Sequence, residues 1–160
     1  MTALVIGLGT DGRGDDAVGP LLARALGAAL TGVDVVEHED PTDLVLAWAE
    51  HPWAIVADAV VSGAPAGSVL VAELADGGAT GPDAARLGLG GTHAFGLAEA
   101  VELARAIGRL PERVTLVGVE AADVTPGAGV SAAVRAAVPE AVERVRRLVA
   151  AAEGAPDVSR

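Results

Sequence analysis

The chain has 160 residues, about half of them hydrophobic, which predicts a single domain with a sizeable core. Its formal net charge of −11 argues against a nucleic acid or an anionic membrane as partner, because phosphate binding needs clustered Lys or Arg. The sequence contains no Cys, Lys or Tyr, which excludes a thiol nucleophile, thiolate metal ligands and a Schiff-base lysine. Any chemistry must therefore use carboxylates, His, Arg, hydroxyls or a metal.

No signal for export or membrane insertion stands out in the sequence. Met1 and Thr2 lead into an apolar segment without the basic residues that begin a signal peptide. No apolar run reaches the roughly 18 residues needed to span a bilayer. We therefore expect a cytoplasmic protein without a membrane partner, and we expect a monomer.

The first half of the chain alternates between predicted strands and helices. An apolar strand over residues 3–6 ends in a glycine-rich loop, and a helix follows over residues 15–29. The next predicted elements are a strand over 33–37, a helix over 41–50, a strand over 53–57 and a strand over 68–73. The last of these follows its predecessor too closely for a helical crossover, so we expect it to be antiparallel to its neighbour in the sheet.

The second half begins with a glycine-rich segment, residues 76–91, which we interpret as a mobile loop over the site. A helix over 92–107, a strand over 113–119 and a helix to about residue 152, capped by Ser131, complete the predicted elements. Strands alternating with helices predict an α/β fold, a three-layer sandwich with helices on both faces of the sheet. We expect one domain over residues 1–152 and a disordered tail over 153–160.

Three side chains fall where the carboxyl ends of the strands would gather them. Asp16 follows the first strand and its loop, Asp58 ends the apolar run 54–57, and His93 follows a glycine cluster. Open parallel sheets bind ligands beyond the carboxyl ends of their strands. Two carboxylates and an imidazole at this edge would hold a divalent metal or transfer protons.

Each acidic or basic residue near this edge also has a simpler interpretation. Asp15 and Asp16 both suit the first turn of a helix, and we assign Asp15 to capping and Asp16 to the site. Asp58 needs a partner if it is buried, which favours a functional role. His93 alone is weak evidence, since it also suits the start of an amphipathic helix. Arg13 is either a substrate contact or a counter-ion for the carboxylates.

Residues 7–12 match the pattern G-x-G-x-x-G after a strand, which is typical of dinucleotide binding. Here Asp11, Asp15 and Asp16 occupy the place of the phosphates, and their negative charge disfavours a nucleotide. The alternative to an enzyme is a non-catalytic binding module, dependent on a nucleotide or a metal, with a Rossmann-like glycine loop.

Four segments together resemble the hydrogenase maturation proteases, which trim the C-terminus of the nickel-iron hydrogenase large subunit. The resembling segments are LVIGLG at 4–9 with GDDAVG at 14–19, IVADA at 55–59, HAFGL at 93–97, and LVGVE at 116–120 with VS at 130–131. Their order and spacing extend the resemblance over nearly the whole chain.

The resemblance implies an endopeptidase, of aspartic or metal-assisted type, on a twisted and mostly parallel five-stranded sheet with one antiparallel strand. It implies that Asp16, Asp58 and His93 are the metal-contacting and catalytic set. The nickel would come with the large-subunit precursor, and none would be tightly bound in the free protein. The family's substrate-handling segment Asp-Gly-Gly-Thr appears here as Asp40-Pro41-Thr42, so Asp40 and Thr42 join Arg13 as candidate substrate contacts.

Overall fold

The computed structural model describes residues 2–74 and 92–154, with side chains at all of these except 92–95. Within this part of the chain one sheet has five strands: β1 (Ala3–Leu8), β2 (Asp34–His38), β3 (Trp53–Val60), β4 (Val69–Glu73) and β5 (Arg113–Glu120). The strand order is β2-β1-β3-β5-β4, and every pair is parallel except β4 with β5. The predicted fold, including the antiparallel strand, is confirmed.

Four α-helices cover this sheet in the described residues: α1 (Val18–Ala29), α2 (Leu44–Ala47), α3 (Thr92–Ala106) and α4 (Ala132–Gly154). Two short 3₁₀ turns, Gly14–Ala17 and Pro41–Asp43, precede α1 and α2. The predicted second helix is therefore too long, because the chain turns after Ala47 through a hydrogen bond from the amide of His51 to the carbonyl of Trp48. That turn brings the chain back to the start of β3.

The prediction that the third strand ends at residue 57 is wrong. Asp58, Ala59 and Val60 continue the ladder by pairing with residues 118–120 of β5. Asp58 therefore lies within a strand and not after it. The apolar pattern broke at this aspartate, whereas the hydrogen bonds that extend the strand come from β5.

The core lies on both faces of the sheet, because residues along the central strands alternate between two helical layers. One face packs against α1 and α4 through residues such as Val5, Ile55 and Val117. The other packs against α2 and α3 through residues such as Ile6 and Val56. Both tryptophans, Trp48 and Trp53, are fully buried.

Two predicted features lie outside the described residues: the loop over 76–91 and residues 155–160 of the predicted tail. Helix α4 continues to Gly154, so the predicted boundary at residue 152 is two residues early. The predicted cap is confirmed, since the Ser131 hydroxyl accepts a hydrogen bond from the amide of Val134 at 3.4 Å. Among the helices described, none is long and apolar enough to cross a membrane.

The order of the strands creates a crevice between β1 and β3. From β1 the chain passes to β2 on one side, and it then returns to β3 on the other side of β1. The connections at the carboxyl ends of β1 and β3 therefore diverge, and such a switch point is where open α/β sheets bind their ligands.

Candidate active site

Two of the three predicted site residues meet at this switch point. Asp16 lies in the 3₁₀ turn that joins β1 to α1, and Asp58 lies near the end of β3. Their side chains are nearly inaccessible, with 3% and 1% of their surface exposed. A carboxylate is rarely buried without a structural or functional reason, so two at one sheet edge mark the crevice as the candidate active site.

Glycines let the start of α1 approach the strands closely enough to bring Asp16 to this position. A Cβ added to Gly19 would clash with the carbonyl oxygen of Leu8 and would lie 2.8 Å from that of Ala57. A Cβ on Gly7 would lie 2.7 Å from the Cβ of Ala23. The first turn of α1 therefore sits between the carboxyl ends of β1 and β3, which places the residues before it over the crevice.

The carboxylate of Asp16 is oriented by the loop that follows β1. Its Oδ2 accepts a hydrogen bond of 2.8 Å from the amide of Thr10. The loop can turn back in this way because Gly9 has φ +147°, and a Cβ at Gly9 would clash with the carbonyl oxygen of Asp16. Local backbone geometry therefore fixes one oxygen of Asp16.

The electrostatics of the crevice disfavour two negative charges. Burial raises the pKa of the Asp58 carboxyl well above its ordinary value, and the nearby charge of Asp16 raises it further. A hydrogen bond from the amide of Ala59 opposes this effect only in part. A cation between the two side chains would relieve their repulsion, as would a proton.

The predicted capping role of Asp15 is wrong. Neither the 3₁₀ turn nor α1 has a side-chain cap, and the fully buried carboxylate of Asp15 instead binds the segment before α4. It accepts hydrogen bonds from the amides of Ala122, Asp123 and Ser131 and from the hydroxyl of Ser131. Burial by itself raises the pKa of Asp15, but these hydrogen bonds together hold it below its ordinary value. Asp15 thus has a structural role different from the predicted one, and the site role of Asp16 stays a prediction.

The backbone of His93 lies in the first turn of α3, while its side chain is outside the described part of the structure. Helix α3 ends close to the start of β5, and its 15 residues extend about 22 Å from there toward the carboxyl edge of the sheet. A Cβ added to Gly96, one turn after His93, would lie 2.9 Å from Cγ of Pro41, which follows β2 at this same edge. The first turn of α3 is therefore on the side of the sheet edge where Asp58 lies.

No group of three or more metal-ligating side chains lies together among the side chains that the structure describes. The predicted third ligand, His93, is not among them. The three-residue set therefore remains a prediction.

The candidate substrate contacts differ in their surroundings. Asp40 accepts hydrogen bonds of 2.9 Å from the amide and the hydroxyl of Thr42, which lower the pKa of its carboxyl and close the turn before α2. Both side chains are exposed. Arg13 is exposed on the loop after β1, and no salt bridge joins it to a carboxylate within the described residues. The counter-ion interpretation of Arg13 therefore finds no support in these residues.

One buried carboxylate at this edge was not predicted to matter. Glu120, at the end of β5, accepts hydrogen bonds from the amides of Ser62 and Gly63 and from the hydroxyl of Ser62. Only 2% of the surface of Glu120 is exposed, and its hydrogen bonds hold the loop after β3 in place. Glu120, like Asp58, ends an apolar segment of the sequence, so the same pattern identifies both carboxylates.

The glycine loop does not offer the phosphate cradle that a dinucleotide needs, because most of its amides already donate within the protein. The amide of Gly9 donates to the carbonyl of His38, and that of Thr10 to Asp16. The amides of residues 14–16 donate to the carbonyls of Ala128, Asp123 and Arg13, in that order. The nucleotide alternative therefore has no support in this loop.

Comparison with solved structures finds the same fold in known peptidases. The hydrogenase maturating endopeptidase HybD from E. coli is 26% identical, with a TM-score of 0.71 over 96% of this chain and 93% of that chain. A hydrogenase 2 maturation peptidase from Thaumarchaeota archaeon SCGC_AB-539-E09 is 29% identical, with a TM-score of 0.65 over 93% of this chain and 98% of that chain. An endopeptidase from Escherichia coli is 25% identical, with a TM-score of 0.79 over 96% and 94% of the two chains.

Comparison with known sequences agrees with this result at the level of the family. No curated protein sequence matches the chain significantly. The family model for hydrogenase maturation proteases matches residues 39–148, which include Asp58 and His93. That match covers more than half of the 160 residues, and the chain therefore belongs to the hydrogenase maturation protease family.

Proposed function

We propose that this protein is the endopeptidase that removes a C-terminal extension from a nickel-loaded precursor of a nickel-iron hydrogenase large subunit. The observation that carries the proposal is the pair of buried carboxylates, Asp16 and Asp58, at the switch point of a sheet shared with hydrogenase maturation peptidases. Burying two like charges together is unfavourable for the free protein. The arrangement becomes favourable when a cation binds between them.

In this proposal the nickel is part of the substrate. Asp16, Asp58 and His93 contact the metal held by the precursor, so the scissile bond is placed beside the carboxyl edge of the sheet. The donor chemistry fits, since carboxylates and an imidazole all bind divalent nickel. Arg13, Asp40 and Thr42 lie at the same edge in loops after β1 and β2, where they would contact the precursor's polypeptide.

The same three side chains serve either route by which water attacks the peptide. The metal can polarise the scissile carbonyl, or a carboxylate of the crevice can accept the proton of the attacking water. In both routes the metal contact holds the peptide in position, and such positioning contributes a large part of the rate.

The absence of cysteine from the sequence explains why the metal would not remain on the peptidase. A precursor that holds nickel through thiolates binds it more tightly than two carboxylates and one imidazole do. Only a loaded precursor presents the ion to the crevice, so cleavage depends on completed metal insertion. Binding energy is thereby linked to the correct state of the substrate.

The test is the change in gel mobility when purified protein is mixed with purified precursor, with or without inserted nickel. We expect cleavage of the nickel-loaded precursor, no cleavage of the metal-free precursor, and no cleavage of an unstructured protein such as casein. Asp16→Asn, Asp58→Asn and His93→Ala should each slow processing at least ~100-fold. Asp34→Asn, an exposed aspartate at the start of β2 and far from the crevice, is the matched control and should process normally.

The outcomes separate the parts of the proposal. Equal processing of the metal-free precursor would refute the dependence on nickel and leave the peptidase activity in place. Full activity of Asp16→Asn or Asp58→Asn would refute the assignment of the crevice as the active site.

A further inference from the structure

The side chain of Asp15 joins the loop after β1 to a segment far along the chain, residues 122–131, which we call the clasp. Its Oδ2 accepts hydrogen bonds from the amide of Ala122 at 2.7 Å, the amide of Asp123 at 3.1 Å and the hydroxyl of Ser131 at 3.0 Å. Its Oδ1 accepts a bond of 2.6 Å from the amide of Ser131. Both carboxylate oxygens are thus engaged inside a fully buried contact.

The backbone of the residues just before Asp15 strengthens the same contact. The amide of Gly127 donates to the carbonyl of Gly12 at 2.7 Å, and the amide of Gly14 donates to the carbonyl of Ala128 at 3.0 Å. Gly14 has φ +57°, and a Cβ there would clash with the carbonyl oxygen of Asp123. The loop and the clasp therefore fit in only one arrangement.

Asp16 follows Asp15 directly in the 3₁₀ turn Gly14–Ala17. Successive residues of such a turn point about 120° apart, so Asp15 points toward the clasp while Asp16 points toward Thr10 and the crevice. A rotation of this turn that releases Asp15 from the clasp also moves the carboxylate of Asp16. The clasp is thus the fixed support against which Asp16 is held.

We propose that Asp15 is a positioning residue of the peptidase, which sets the place of the Asp16 carboxylate relative to Asp58 by holding the turn against the clasp. This inference rests on the proposed function, in which Asp16 contacts the substrate's metal. Contacts to a reacting centre are sensitive to position, and a displacement of about 1 Å can slow a reaction about 100-fold. Removing the support would therefore slow the reaction even in a folded protein.

Asp15→Asn is the informative substitution because it keeps the size of the side chain. An amide group must direct its NH₂ toward either the amide of Ser131 or the amides of Ala122 and Asp123, and donors then face donors. Ser131→Ala is milder, since it removes the hydroxyl and leaves the backbone hydrogen bond in place. Glu120→Gln is the matched control, because Glu120 is a buried carboxylate bound to amides of a loop that carries no proposed site residue.

The experiment measures two quantities at a temperature where every variant is folded by circular dichroism. The first is kcat and KM for the nickel-loaded precursor, and the second is the amide resonance of Thr10, which donates to Asp16. We expect Asp15→Asn to lower kcat about 10–100-fold with KM changed less than about 2-fold, and to shift the Thr10 resonance. Ser131→Ala should cause a smaller change of both in the same direction, and Glu120→Gln should leave both at wild-type values.

A folded Asp15→Asn variant with wild-type kcat would overturn the inference, and so would an unchanged Thr10 resonance. If Asp15→Asn does not fold, wild-type values of both quantities in Ser131→Ala would overturn it. Asp16→Asn, measured in parallel, separates the two proposals. If that variant processes the precursor normally, the proposed role of Asp16 fails. If it is inactive while Asp15→Asn is fully active, only the positioning role fails.

Discussion

Asp16 lies close enough to Asp58 for its charge to raise the pKa of the Asp58 carboxyl, which burial already raises well above its ordinary value. This pair opposes the stability of the free protein, because neither charge is favourable in a dry crevice beside the other. Violations of ordinary stability rules concentrate at functional sites. The pair is therefore the feature to test first.

Asp58→Asn should stabilise the free protein, and the gain should grow as the pH rises. The pKa of Asp58 in the folded protein lies above its ordinary value of 3.8. Below that value the carboxyl is protonated in both the folded and the unfolded chain, so it does not lower the free energy of unfolding. The free energy of unfolding falls as the pH rises from there through the folded-state pKa, because the Asp58 carboxyl ionises first in the unfolded chain. Urea denaturation from pH 4 to pH 8 measures the effect, with Glu112→Gln as the exposed control. An equal gain at all pH values would contradict this origin of the effect.

Gly19→Ala should displace α1 from the sheet and impair both stability and processing. The added methyl group would meet two backbone carbonyl oxygens, those of Leu8 and Ala57, which cannot move aside as a side chain can. Overpacking of this kind costs roughly 1–3 kcal/mol, and backbone contacts put this site at the upper end. The free energy of unfolding and the rate of precursor cleavage are the measurements.

Gly27→Ala is the control for that substitution within the same helix. Its Cβ would lie 3.2 Å from Cγ2 of Val35, the end of a side chain that can shift, and Gly27 is exposed. Replacing a glycine inside a helix by alanine favours the helix by up to about 1 kcal/mol. We expect near-wild-type or higher stability and normal processing. A loss in Gly27→Ala as large as that in Gly19→Ala would contradict the assignment of the effect to the close approach at Gly19.

Thr115→Val should destabilise the protein without affecting the reaction. The buried hydroxyl of Thr115 accepts a hydrogen bond from the indole of Trp53 at 2.9 Å and donates to Glu73 at 2.8 Å, at the sheet edge opposite the crevice. Valine leaves the buried indole N–H without this acceptor, which costs about 1–3 kcal/mol. Thermal unfolding and kcat for the folded variant are the measurements, and a reduced kcat would show that the two edges are coupled.

Arg13→Ala should weaken the binding of the precursor while leaving the stability of the free protein unchanged. Arg13 is exposed, and within the described residues it forms no salt bridge that its loss would break. A contact made equally in the bound and transition states raises KM and spares kcat. Steady-state processing of the loaded precursor measures both. A drop in melting temperature with KM unchanged would instead support the role of a counter-ion.

The elements and the site edge were predictable from the amino-acid sequence, because they depend on local patterns. Short apolar segments predicted all five strands, and the short connection before β4 predicted its antiparallel direction. The placement of Asp16 and Asp58 together followed from their positions after apolar segments, since parallel strands end at a common edge. The role of His93 remains a prediction from resemblance.

The roles of the remaining polar side chains depend on how the folded chain packs, because their partners are distant along the sequence. Asp15 looked like a helix cap, yet its hydrogen-bond donors Ala122 and Ser131 lie 107 and 116 residues away. Asp58 looked like the residue after a strand, yet β5 extends that strand past it. A local pattern cannot show which distant amide meets a carboxylate. That choice is made when the sheet and its loops pack together, and it separates the structural Asp15 from the crevice residue Asp16.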